Sequence, residues 1–216
     1  MNYVEVEDYN LELTLYPSFT LTLFRKVDSH NYIKVYGYEK GLILKQEGSK
    51  LFYKGDYQYV MLLSGLWYDP HVFIDVSPKS VRGLLSTIVE HYGIVRLSIS
   101  PEDYQLLLIA VVLSRRTDYH TNVINWCKAI FSNIKGLMDI LKLQPNLIRS
   151  YQFTILRHII EQLNIKDKDV LEKIRENKTH TGKRFLAKGV MQEAVSYTHL
   201  RAHETSLHLV CRLLLE

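Results

Sequence analysis

From Leu106 to Leu113 the chain reads Leu-Leu-Leu-Ile-Ala-Val-Val-Leu, apolar at every position. Folded as a helix, such a run has no polar face, so other elements must cover it, and it marks the centre of a domain. It is too short to cross a bilayer, which takes about 20 residues. Its start is signalled by Ser100 as N-cap and Pro101 at the first helical position, with Glu102 and Asp103 near the positive end of the helix dipole. After Leu113 the chemistry changes abruptly to Ser114-Arg115-Arg116-Thr117-Asp118-Tyr119. Thr117 or Asp118 can cap a second helix, in which Val123, Trp126, Cys127, Ile130 and Phe131 form one apolar stripe. The expected product is a pair of core helices joined by a turn that carries two arginines.

Upstream the period is two. Leu11–Leu15, Phe19–Leu23, Tyr32–Tyr36, Leu42–Lys45 and Lys50–Tyr53 read as short strands, with glycines 37, 41, 48 and 55 as turn residues. From Asp56 the period becomes helical. Tyr59, Leu62, Leu63 and Leu66 share a face, and Ser77-Pro78 opens a helix carrying Val81, Leu84, Leu85, Ile88 and Val89, which Gly93 ends. Gln144-Pro145 opens another, with Leu147, Ile148, Tyr151, Ile155, Ile159 and Leu163 as its stripe. The pattern predicts an α+β fold: an antiparallel β subdomain over residues 1–55, packed on a helical domain over 56–194.

The 216 residues are 47% hydrophobic and 23% charged, which excludes general disorder. The net charge of +4 suits a polyanionic partner without requiring one. Two cysteines, Cys127 and Cys211, are too few for a disulfide framework or a four-cysteine cluster. The N-terminus lacks the basic and apolar regions of a secretory signal, so a cytoplasmic protein is expected. Trp67, Tyr68 and His71, near a proline turn, could stack on a base, although core or surface packing accounts for them better.

Leu113-Ser-Arg-Arg-Thr-Asp-Tyr-His-Thr-Asn-Val-Ile-Asn-Trp126 resembles the segment of helix-hairpin-helix DNA glycosylases in which a serine-led turn joins two core helices. A second resemblance lies in Lys183-Arg-Phe-Leu-Ala-Lys-Gly-Val190, which is similar to the entry of that family's hairpin. Together with the preceding β-rich region, these segments look most like the 8-oxoguanine and alkylpurine branches. Such enzymes flip a damaged or mispaired base out of duplex DNA and hydrolyse its glycosidic bond. The resemblance implies a glycosylase-type helical domain and a monomeric, nucleoid-associated prokaryotic repair enzyme acting on double-stranded DNA, without a membrane. Ser114, Arg115, Arg116, Thr117 and Tyr119 of the turn, and Lys188, Gly189 and Val190 of the hairpin, would lie against DNA. Arg116 is favoured as the residue that fills the gap left by the flipped base.

The hairpin departs from the family pattern. Its second glycine is missing, and Gln192 falls where bifunctional members carry their Schiff-base lysine, which puts lyase chemistry in doubt. The reactive aspartate of the family follows the hairpin by one helix and has no counterpart here. Residues 195–216 contain neither Lys nor Ile and resemble a translated sequencing-adapter tail. His199, His203 and His208 within it are therefore not read as metal ligands. The expectation is an inactive fragment of a glycosylase with no cofactor of its own, any iron–sulfur cluster belonging to sequence downstream. A noncatalytic DNA-binding or partner-binding module using the same helix pair is the alternative.

Overall fold

The structure, a computed structural model, describes residues 1–166, with side chains to Glu161. Five antiparallel strands form one sheet: β1 (Asn2–Glu5), β2 (Phe24–Asp28), β3 (Asn31–Lys34), β4 (Ile43–Glu47) and β5 (Lys50–Lys54), in the order β1-β5-β4-β3-β2. Alternation sends Tyr32, Leu44, Leu51 and Tyr53 to the buried face, where Tyr32 lies opposite Leu44 and Leu44 opposite Tyr53. Glu47 pairs with Lys50 across a two-residue turn, and Gly48 there has φ +56°, the left-handed conformation such hairpins require.

Two of the expected strands are helical. Leu11–Leu15 is α1, capped by Asn10, whose side chain accepts a hydrogen bond from the Leu13 N–H, and Phe19–Leu23 is a 3₁₀ helix capped by Ser18. The alternation of Leu11, Leu13 and Leu15 also places the outer two on one helical face. In the fold Leu11 and Leu15 are buried while Leu13 is exposed, as a helix dictates and a strand would not. Capping side chains at Asn10 and Ser18 decide the matter, and five residues of alternation were too few to outweigh them. The sheet recruits β1 and β2 instead.

α2 (Tyr57–Ser64) runs from the Asp56 cap to Gly65, which has φ +76°, and buries Tyr59, Val60 and Leu63. α3 (His71–Val76) and α4 (Lys79–Tyr92) follow, and neither buries a residue among the described chain. The apolar stripe expected for α4 is real, but Val81, Leu84 and Ile88 remain exposed. α5 (Tyr104–Leu113) is preceded by a 3₁₀ turn, Pro101–Asp103, and α6 (Ile124–Phe131) by a π-helical turn, Tyr119–Val123. α5 contacts α6 and the 19–23 helix, burying Ile109, Ala110, Val112 and Leu113, whereas Leu106, Leu107 and Leu108 are half-buried. The spine is thus covered mainly over its second half, where Val111 stays half-buried.

α7 (Tyr151–Lys166) starts six residues after Pro145, later than expected. Its buried face is Gln152, Phe153, Leu156 and Ile160, one place removed from the predicted stripe, and Tyr151 is exposed. Met1–Ile160 forms one compact unit; beyond it, Glu161–Lys166 is the end of α7.

Candidate nucleic-acid interface

The first end of α5 is fixed by charge. Asp103 accepts hydrogen bonds from the Tyr38 N–H (2.6 Å), the Tyr59 hydroxyl (2.5 Å) and the Ser100 hydroxyl (2.6 Å), and its Oδ2 lies 2.8 Å from the Lys34 ammonium. Ser100 therefore serves Asp103 instead of capping a backbone N–H, and Asp103 is a buried acceptor more than a dipole charge. The ammonium also donates to the carbonyls of Tyr36 and Tyr38. Burial holds Lys34 below its usual pKa despite the opposing carboxylate.

At the other end the Ser114 hydroxyl donates back to the Val111 carbonyl (2.7 Å), closing the helix. Arg115 is half-buried; Arg116 is exposed and has φ +52°. A side chain in the left-handed region costs about 1–2 kcal/mol and persists only where the surroundings over-determine it. Here they do. The Arg115 carbonyl accepts from Gln152 Nε2 at 2.9 Å, with the Tyr151 hydroxyl at 3.5 Å from the same oxygen. Asn122 Nδ2 donates to the Thr117 hydroxyl (3.0 Å), and the Asp118 carboxylate caps the Thr121 N–H. Hydrogen bonds from Thr121, through both its hydroxyl and its backbone N–H, hold Asp118 below the ordinary carboxylate range.

Tyr119 anchors the far side of the turn. Its hydroxyl donates to the Ser18 carbonyl (2.6 Å) and its ring meets Phe19 edge-on, while burial pushes its phenol pKa up. Next to it His120 stacks on the exposed Tyr16, with centroids 3.9 Å apart. The loop between α1 and the 3₁₀ helix is thereby joined to the arginine turn by a run of rings.

The turn residues Ser114, Arg115, Arg116, Thr117 and Tyr119 thus lie together on a braced segment whose outermost cation is Arg116. Lys188, Gly189, Val190 and Gln192 lie outside the described residues. Helical period places Tyr151 on an apolar stripe and leaves Gln152 without a role, yet the fold brings both to the Arg115 carbonyl. The available signal was a glutamine inside an otherwise apolar helical face. Trp67 and Tyr68 are tied to Leu97: Trp67 Nε1 donates to the Leu97 carbonyl, and the Tyr68 hydroxyl accepts from the Leu97 N–H, while the Trp67 side chain stays exposed. Trp126 is half-buried and Cys127 fully buried. Among the described residues no group of three or more His, Cys, Asp or Glu is placed to hold a metal, and no helix is long and apolar enough to cross a membrane.

No family model matches the sequence, and no curated protein sequence matches it either. The fold, however, is similar to that of the Clostridium acetobutylicum 8-oxoguanine glycosylase/lyase, solved in complex with double-stranded DNA containing cytosine opposite to 8-oxoG. The two share 12% sequence identity with a TM-score of 0.55, over 93% of this chain and 83% of that one. The chain therefore has a glycosylase-like α+β fold.

Proposed function

We propose that this chain derives from a base-excision DNA glycosylase that binds duplex DNA and holds it open at a damaged or mispaired base. The observation that carries the reading is the Arg116 turn: an exposed guanidinium in a left-handed backbone, braced from two sides at the junction of two core helices. A flipped base leaves a gap in the stack and an unpaired partner base. A planar guanidinium can fill the one and hydrogen-bond the other. The exposed ring of Tyr151, whose hydroxyl meets the same turn, offers a second stacking face. The glycosylase-like fold supports the same assignment, and hydrolysis of the glycosidic bond, water replacing the base at the sugar carbon, is the chemistry that goes with it.

Within the described part, Asp103 and Asp118 serve the fold, so the turn is a binding and positioning element in this reading. The test is fluorescence anisotropy with two duplexes at one salt concentration, one intact and one carrying an abasic-site analogue, because phosphate contacts alone bind both equally. Tighter binding of the abasic duplex is expected. Arg116→Ala should remove roughly fivefold or more of that preference, the low end for loss of a base-stacking contact. Equal affinity of the unaltered chain for both duplexes refutes the reading. Preference without release of 8-oxoguanine, uracil or an alkylated purine from lesion duplexes is the outcome expected of a chain without the reactive aspartate, and release of any of these bases would refute that expectation.

A further inference from the structure

We infer that Gln152 is the positioning residue of the arginine turn: from the buried side of α7 it fixes the peptide plane on which Arg116 takes its left-handed conformation. Its consequence for DNA rests on the reading above; its structural part does not.

The Arg115 carbonyl and the Arg116 N–H belong to one planar group. The φ of Arg116 is a rotation about the bond leaving that plane, so whatever directs the carbonyl sets the frame in which Arg116 turns outward. Gln152 Nε2 holds the carbonyl at 2.9 Å, and the Tyr151 hydroxyl, at 3.5 Å, is too distant to hold it alone. The assignment of the amide is forced, since a carbonyl only accepts and the NH₂ group must face it. The other end of the amide is also engaged: Gln152 Oε1 accepts from the Ser150 hydroxyl, whose oxygen in turn accepts from the Gln152 N–H at 3.1 Å. With both ends engaged the side chain has one orientation.

Burial sharpens the argument. Gln152 is 4% exposed and shares its face with Phe153, Leu156 and Ile160. A buried amide is costly unless hydrogen-bonded, and an apolar residue would suit that face better if packing were all that mattered. What the glutamine adds is the contact with Arg115. Arg116 in turn needs outside support, because a left-handed arginine relaxes to the right-handed region when nothing prevents it.

The full chain with Gln152→Met, of similar length and without a donor, decides the matter through two measurements. The first is the three-bond HN–Hα coupling of Arg116 by NMR in the absence of DNA, which reports φ directly. It should move from its left-handed value toward the right-handed helical one. The second is the abasic-over-intact affinity ratio, which should fall roughly fivefold, the size of one lost side-chain hydrogen bond, while intact-duplex affinity holds. In an Arg116→Ala background the Gln152→Met change should add nothing to that loss, whereas a general structural defect would add to it. An unchanged coupling, or additive losses, overturns the inference. A shifted coupling in a protein that never prefers the abasic duplex leaves the positioning role standing and removes the DNA reading. If Gln152→Met does not melt cooperatively, Gln152→Leu, which also lacks any donor, carries the same expectations.

Discussion

The Lys34 ammonium sits 2.8 Å from Asp103 Oδ2 with the two side chains 0% and 2% exposed, which ties the sheet to the start of the buried helix. Gly37 is part of the same joint. Its φ is +76°, and a Cβ there would fall 1.8 Å from Asp103 Oδ1, so only glycine lets the β3–β4 connection come close enough for the Tyr38 N–H to reach the carboxylate.

Breaking such a pair strands a charge in a dry site. Lys34→Met or Asp103→Asn alone should cost about 3–5 kcal/mol. The double change, with no charge left, an amide oxygen still able to accept from the Tyr38 N–H and an NH₂ group able to donate to the Tyr59 hydroxyl, should cost clearly less than the sum. Urea midpoints of the four proteins measure the cycle, and strict additivity would disprove the coupling.

Alkaline pH should unfold the protein through its buried tyrosines. Burial raises the phenol pKa of Tyr9, Tyr59 and Tyr119, in Tyr59 with help from the hydrogen bond to Asp103. A group with a raised folded pKa lends stability that is complete below its unfolded value, near 10, and lost as pH climbs toward the folded one. Lys34 works in the opposite sense, because its lowered pKa lets the folded state shed a proton first, but the tyrosines raised by burial, Tyr32 among them, outnumber it. Phenolate absorbance followed beside circular dichroism should show these tyrosines ionising only as the fold is lost. Full titration of all fifteen tyrosines with an intact spectrum would contradict this.

Cys127 should be chemically silent. It is fully buried, and burial pushes its thiol pKa far up, so almost no thiolate forms near neutral pH. Peptide mapping after iodoacetamide at pH 8 should find position 127 unmodified in the native protein and modified in urea.

The α3–α4 pair predicts an asymmetry of its own. Leu84 is 66% exposed although it lies on the apolar stripe of an amphipathic helix. Leu84→Lys should therefore change the unfolding free energy by less than about 0.5 kcal/mol, as surface substitutions do. Leu63→Ala on α2, which is fully buried, should cost about 2–5 kcal/mol. Chemical denaturation of both variants checks the contrast, and a large loss at Leu84 would show that the stripe is covered in solution.

By itself the sequence determined the α+β class, the strands over Tyr32–Tyr53, the core helix ending at Leu113 and the polar turn after it, because these depend on local period, glycine placement and capping chemistry. It misplaced Leu11–Leu15, where five residues fit two periods and a neighbouring cap chose between them. Only the tertiary structure decided that Asp103 faces a buried lysine 69 positions away, that Gln152 holds the carbonyl of Arg115, and that Arg116 turns left-handed. Those outcomes come from long-range hydrogen bonds between polar groups that must be paired once they are buried, and no local periodicity encodes which partner each will find.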